Sequence, residues 1–379
     1  MRRSGQLQVL VAGGGIAALE TVIALRELAG ERVSTTVLAP NEELVYRPLS
    51  VCEPFALARP ARYPLAPMID DLGAELVADE LADVEAQRRV VRTRAAAELD
   101  FDALVLALGA RPYVRYRHAV TIDDRRMDET LGWLNRDVRA GTLNSVAFVA
   151  PARMAWPLPL YELALLTARC AEEAGAKVQL TVLTSEDSPL AVFGSEASDG
   201  VASLLAARGV RTIPNSYVEI PRPGELVINP DDRRLRAQRI VALPELYGPA
   251  VRGLPVSEHG FIRVDPFGRV PDAGEVFAAG DAVDFPVKQG GIGCQQADVV
   301  AASIAALAGA DVDPAPFKPT LHGVLLTGER PRYLRTTLTG GDGVASEFSE
   351  TPIDGVTQKI AGLHLAPYLE SRERFRIAA

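Results

Sequence analysis

The stretch that most constrains this chain is Gln8–Glu20, QVLVAGGGIAALE. An apolar strand over Val9–Val11 passes through Gly13, Gly14 and Gly15 into Ile16, Ala17 and Ala18, and then into the helical run Leu19–Leu28. Gly13 and Gly15 take the first two positions of G-x-G-x-x-G/A, and Ala18 takes the third. The first glycine permits a tight turn, and the second leaves bare backbone for a pyrophosphate. The third small residue lets helix and strand pack closely, and the helix N-terminus offers N–H groups and a positive dipole end. Out of context the run would read as an ordinary glycine turn. The next strand, Ser34–Leu38, makes residues 8–38 a βαβ unit and requires a parallel sheet.

In such a unit an Asp or Glu at the end of the second strand accepts hydrogen bonds from ribose hydroxyls. Ala39 stands there, and Glu42 or Glu43 is the nearest substitute. Losing one hydrogen bond to a charged group costs roughly 1.5–3 kcal/mol, which weakens a cofactor site without excluding it.

Further along, NEELVYRPLSVCEP (41–54) is a loop that brings Arg47 and Pro48 beside the nucleotide fold. Residues 75–93 read as a β-meander. FDALVLALGARP (101–112) is a buried strand whose end, from Ala107 through Gly109 to Arg111, carries backbone towards whatever the first glycine loop holds. A second α/β unit follows, with strand 145–150, helix 160–175, strand 178–183, helix 198–208 and strand 209–213. Its turn, PARMAWPLP, contains no glycine. Proline lacks an N–H and Trp156 fills space, so this turn is poorly built for a pyrophosphate and disfavours NAD(P).

The first theme then returns. Strand 276–279 ends in Gly280-Asp281, an acid placed for ribityl or ribose hydroxyls unless it serves only as a cap. Lys288, Gln289, Gly290 and Gly291 open a helix running from Cys294 to about Leu307, its dipole aimed at an electron-rich group. From Pro314 short strands and turns predominate, followed by QKIAGLHLAPYL and a charged tail. The organisation expected is α/β, with two Rossmann-like (three-layer ββα) units, the second inserted into the first, plus a small β-rich C-terminal part. The boundaries are 1–112, 113–245, 246–312 and 313–379.

A net charge of −9 offers no basic field to a nucleic-acid backbone. Cys52, Cys170 and Cys294 form no C-x-x-C pair, which supports neither zinc nor a disulfide framework. No apolar run approaches the ~20 residues of a membrane span. The expectation is a cytoplasmic protein, with peripheral contact at the inner face of a membrane and a homodimer both left open. Cys170, mid-helix, reads as a buried small hydrophobe. Cys294, near a helix N-terminus, and Cys52, after YRPL, are the candidate redox thiols. His118, His259, His322 and His364 show no catalytic or metal spacing.

GGGIAALE, ALGARP, FAAGD and KQGG occur in this order. In that order the chain resembles the two-dinucleotide-domain flavoproteins of the pyridine nucleotide–disulfide oxidoreductase superfamily. YRPL and KQGG…QQAD point to the branch of sulfide:quinone oxidoreductases, flavocytochrome c sulfide dehydrogenases and type II NADH dehydrogenases. The resemblance implies FAD, with Gly13, Gly15, Ile16, Ala17 and Ala18 at the pyrophosphate. It also implies Leu81 at the adenine, Gly109 against the cofactor, Asp281 at the ribityl and pyrophosphate region, and Lys288–Gly291 facing the isoalloxazine. Ala39 departs from the family pattern, as does ALG where ATG is usual. The redox C-x4-C is missing, and proline stands near 157 where sulfide oxidoreductases carry a cysteine. The implied activity is transfer of electrons from a small-molecule donor through FAD to a quinone or other acceptor. The alternatives are an NAD(P)H-dependent flavoprotein dehydrogenase and a degenerate flavoprotein fold serving as a scaffold.

Overall fold

Alternate residues of the first strand serve two different cores. Val9 and Val11 pack with the long helices, while Leu10 and Ala12 pack with a small antiparallel sheet on the opposite face. Such a strand, buried on both faces, is the centre of a parallel sheet. The computed structural model describes residues 5–339 and 342–378.

The first half contains β1 (Leu7–Ala12), α1 (Ile16–Ala29), β2 (Val33–Leu38), β3 (Glu43–Val45), β4 (Arg62–Pro64), α2 (Leu65–Asp71), β5 (Glu75–Val77), β6 (Leu81–Glu85), β7 (Val90–Thr93), β8 (Glu98–Asp100) and β9 (Ala103–Leu106). A two-stranded ribbon begins with β10 (Arg111–Tyr113). The next unit contains β11 (Val120–Thr121), α3 (Met127–Arg139), β12 (Ser145–Val149), α4 (Leu158–Glu173), β13 (Gln179–Leu183), α5 (Ser195–Ala207), β14 (Arg211–Ile213), β15 (Tyr217–Arg222), β16 (Glu225–Asn229), β17 (Arg233–Arg236), β18 (Arg239–Ala242) and β19 (Glu245–Tyr247). The chain finishes with β20 (Val276–Ala278), α6 (Gly290–Leu307), β21 (Thr320–Leu325), β22 (Arg332–Thr339), β23 (Asp342–Ser349) and α7 (Leu365–Ala378).

The first sheet runs β20-β9-β1-β2-β5, and all of its pairings are parallel. Helices α1 and α6 cover one face and the β6-β7-β8 sheet the other. The second sheet runs β11-β18-β12-β13-β14 in the same style. Val146, Phe148 and Val182 face α3–α5, whereas Ala147, Val149 and Leu183 face the β15-β16-β17 sheet. Both units are therefore three-layer ββα, and β20 returns to the first sheet after the second is complete. The β10–β19 ribbon joins them at Arg111–Tyr113 and Glu245–Tyr247.

Some expectations shift. Residues 75–77 are not part of a meander but the fifth strand of the main sheet, because β5 pairs with β2 in parallel. The antiparallel meander is 81–100 instead. Helix α6 begins at Gly290, four residues before Cys294, since Gln289 Oε1 accepts the Ile292 N–H (2.9 Å) and caps it. The C-terminal sheet packs within the chain: a Cβ on Gly200 of α5 would lie 2.6 Å from the Phe348 ring, and one on Gly194 would lie 2.8 Å from Ser346. Among the described residues no helix is long and apolar enough to cross a membrane, and no group of His, Cys, Asp and Glu could hold a metal ion.

Candidate cofactor site

The three glycines after β1 do different work. Gly13 has φ +132°, donates its N–H to Leu38 O (2.9 Å), and lies so close to β9 that a Cβ would come within 2.2 Å of Ala107 O. Only glycine fits there. Gly14 lies over Ala39 and Leu65, and a Cβ on Gly15 would meet nothing within 4 Å. Gly15 therefore leaves open space at the N-terminus of α1, where first-turn N–H groups lack helical partners.

That space belongs to a cavity of about 1050 Å³. Its walls are the ends of the parallel strands and the starts of α1 and α6, the crevice in which open α/β sheets bind ligands. Of the residues singled out in the sequence, Gly13, Gly15, Ile16, Ala17, Arg47, Leu81, Ala107, Gly109, Arg111, Gly280, Asp281, Gln289 and Gly290 line it. Gly280 (φ +77°) and Gly293 let the end of β20 and the start of α6 close on Ala17, whose Cβ would lie 2.9 Å and 3.7 Å from theirs.

Other singled-out residues fall outside the wall. Ala18 and Ala39 are each 1% exposed; Ala18 packs in the core, and Ala39 lies under Gly14. Gly291 is turned towards Ala361. The buried Lys288 ammonium donates to Val283 O and sits 3.8 Å over the Phe261 ring. Burial lowers it to about 8, against Asp281 and Asp284, which raise it. Asp281 is affected in the opposite way: burial raises its carboxyl, while Lys288 lowers it and Asp124 raises it further.

The thiols behave differently from the expectation. Cys294 lies in the α1–α6 interface beside Gly362, where burial, Glu20 and Asp298 hold its thiol well above the ordinary range. Cys52 is buried at the end of the Arg47–Phe55 3-10 helix and is raised to about 11, mainly by burial and then by Glu162. Neither is a thiolate at neutral pH, so neither has the depressed pKa that a redox thiol needs. All three cysteines are free and buried.

The cavity wall holds Glu43, one of the two substitutes offered for the missing acid, and also residues that the motifs do not reveal: Asn41, Arg94, Asp124, Arg252 and Ile360. Arg47 pairs with Asp124 at 3.8 Å, Arg94 with Glu80 at 2.9 Å, and Arg252 with Asp83 at 2.6 Å. No local pattern marks them; only the DDRR run at 123–126 draws the eye.

A dinucleotide fits this cavity. A Cβ on Gly15 would stand in open space there, the α1 N-terminus opens into the cavity, and Arg47, Arg94, Arg111 and Arg252 line its wall. Glu43 and Asn41 supply acceptors where Ala39 supplies none.

In the second unit the turn after β12 and the end of β13 make their contacts within the chain. Trp156 packs on Phe193 (centroids 5.9 Å apart), and Arg153 sits 4.9 Å over Tyr247 and donates to its hydroxyl (3.2 Å). Glu186, just past β13, accepts from Tyr161 OH (2.6 Å), Thr184 Oγ1 (2.9 Å) and the Ala191 N–H (3.1 Å).

Residues 162–303 match the family model Pyridine nucleotide-disulphide oxidoreductase. No curated protein sequence matches the chain. Among solved structures, the sulfide:quinone oxidoreductase of Aquifex aeolicus superposes with a TM-score of 0.79 at 19% identity, covering 91% of this chain and 87% of that one. The ferredoxin reductase for the CYP199A2 system of Rhodopseudomonas palustris gives 0.66 at 19% identity, covering 88% and 83%. The NAD-dependent persulfide reductase of A. fulgidus gives 0.63 at 18% identity, covering 87% and 64%. At these identities the structures speak for the fold. The family match over residues 162–303 and the glycine-lined cavity add support for a flavin-dependent oxidoreductase of the pyridine nucleotide-disulphide type, with FAD as its cofactor.

Proposed function

We propose that this oxidoreductase passes electrons through FAD to a quinone and takes them from a donor other than NAD(P)H. The observation that carries the second part is the internal pairing of the second unit's turn and strand-end carboxylate. A nicotinamide dinucleotide needs bare backbone after β12 and a carboxylate free for its ribose after β13. Here the turn holds Trp156 and prolines, and Glu186 accepts hydrogen bonds from Tyr161, Thr184 and Ala191 of its own unit. Freeing that carboxyl for a ribose would cost roughly 1–3 kcal/mol per lost partner. The quinone is suggested by the fold shared with the Aquifex aeolicus enzyme. Pro157, at the start of α4, supplies no thiol to attack sulfide.

Bound FAD supplies the two-electron chemistry. The chain's own residues bind and orient it. Gly13, Gly15 and the α1 N-terminus would hold the pyrophosphate, and Asp281 the hydroxyls of the chain between pyrophosphate and ring. The α6 N-terminus, capped by Gln289, would favour negative charge on the reduced ring. Cys52 and Cys294, as buried neutral thiols, have no role in this reading.

Anaerobic titration tests it. NADH and NADPH, at concentrations near the upper end of usual Michaelis constants (roughly 1 mM), should leave the flavin absorbance near ~450 nm unbleached. The dithionite-reduced protein should be reoxidised by a short-chain quinone. Rapid bleaching by either nicotinamide, or no reoxidation by quinone, would overturn the respective half of the proposal.

A further inference from the structure

The last wall of the FAD cavity comes from far along the chain. Ile360 is 4% exposed and lines the cavity against the start of α6, where a Cβ on Gly290 would come within 2.8 Å of its side chain. The segment that carries it has no regular secondary structure between β23 and α7. A segment of this kind has no ladder to hold it and stays in place only through specific anchors.

The anchors are unusually complete. At one end Lys359 Nζ donates to both Glu162 oxygens at 2.6 Å, from the C-terminal segment to α4 of the second unit. The Lys359 carbonyl accepts from Gln289 Nε2 (3.3 Å), and the Ile360 N–H donates to Tyr46 OH (3.1 Å). At the other end the Glu20 carboxylate, wholly buried in α1, accepts the His364 N–H (2.9 Å) at Oε1 and the Leu365 N–H (2.7 Å) at Oε2. Glu20 thus caps α7 from another helix, a task normally done by a residue within the helix itself. His364 Nδ1 is hydrogen-bonded to Glu27 Oε2 (2.9 Å), and its ring lies 3.8 Å from Asp298 of α6. Leu365 and Leu369 then seat α7 in the core of the first unit.

Glu20 lies one turn beyond Ile16 and Ala17, which line the cavity, and Asp298 lies on the helix whose start Ile360 covers. The residues that pin the segment are therefore on the same two helices that present their N-termini to the cofactor. A flavin entering or leaving past Ile360 must move residues 360–364, and that motion breaks the Glu20 cap.

We propose that residues 359–365 form a clasp that retains FAD, with Ile360 as a cavity wall and Glu20 as a positioning residue that holds the wall shut. The proposal concerns oxidised FAD and does not depend on which donor or acceptor the flavin serves.

The test is the rate at which the FAD-loaded protein releases flavin after rapid dilution, followed by recovery of flavin fluorescence. Ile360→Ala opens the wall and leaves every anchor in place; Glu20→Gln weakens the cap and leaves Ile360 unchanged. Each should release FAD at least tenfold faster than wild type, with an unchanged far-ultraviolet circular dichroism spectrum, and Ile360→Val should release it at nearly the wild-type rate. An unchanged release rate in folded Ile360→Ala overturns the proposal, whatever Glu20→Gln does. If Glu20→Gln fails to fold, Ile360→Ala decides alone. Acceleration by Ile360→Val as large as that by Ile360→Ala would also overturn it, because the wall would then be acting through general packing.

Discussion

Replacing Lys359 with methionine isolates an ion pair whose partners are both buried and lie 197 residues apart. The Lys359 side chain is 8% exposed and that of Glu162 is not exposed at all. Glu162 also accepts the Leu326 N–H at 2.8 Å. Removing the lysine leaves a carboxylate in the core with one hydrogen bond, a loss that costs about 3–5 kcal/mol for buried pairs. At roughly 2–4 °C per kcal/mol for chains somewhat smaller than this one, the melting temperature should fall by about 10 °C at pH 7.

The pH dependence follows from the sign of the shift. Burial raises the Glu162 carboxyl and Lys359 opposes it, so in the variant the folded-state value rises further. A carboxyl raised on folding contributes fully below its unfolded value, about 4.3, and loses that contribution as pH climbs through the folded value. The penalty of Lys359→Met should therefore shrink towards acid pH. The double variant Glu162→Gln/Lys359→Met, which buries no charge, should recover most of it at pH 7. Scanning calorimetry of the FAD-loaded proteins at pH 5 and pH 7 is the assay. A single variant within 1 kcal/mol of wild type at pH 7, or a double variant no better than the single, would refute the reasoning, that limit being about the smallest cost of one lost hydrogen bond.

Gly13→Ala should abolish FAD retention, since its Cβ would need the space held by Ala107 O at 2.2 Å; a yellow, saturable variant in fluorescence titration would contradict the cradle. Cys52→Ser and Cys294→Ser should leave the flavin spectrum and its reduction unchanged, because both thiols are buried and raised; a lost long-wavelength band in either would show a thiolate at the flavin. Glu186 is raised to about 7, mainly by burial, so wild type should lose about 3 kcal/mol of stability from this group between its unfolded value and pH 7. Glu186→Gln should flatten that slope in a denaturation series across pH. Gly200→Ala should loosen the C-terminal sheet from α5, because its Cβ would fall 2.6 Å from the Phe348 ring; faster hydrogen exchange in β21–β23 would report it.

What the sequence determined by itself was the part of the protein set by local geometry. A glycine at φ +132°, a helix beginning directly after it, and strands apolar on both faces are properties of short windows, so GGGIAALE, ALGARP and FAAGD were legible as strand ends around one ligand. Order along the chain was enough to return strand 276–279 to the first unit, because a crossover from a completed second sheet has few places to go, but its place beside β9 came from the tertiary structure. The poor fit of the second unit to a dinucleotide was half legible, in the absence of glycine from PARMAWPLP. Its other half, Glu186 turned inward on Tyr161, was not. Tertiary structure alone decided what depends on burial and on contacts between distant segments. It reversed the reading of Cys294, since burial, and then the nearby carboxylates Glu20 and Asp298, raise its thiol and outweigh a helix N-terminus. It turned Ala39 and Lys288 away from the cavity, and it brought Asn41, Glu43 and Asp124 to the wall. It also set Ile360 against Gly290, a contact across 70 residues of chain that no periodicity encodes.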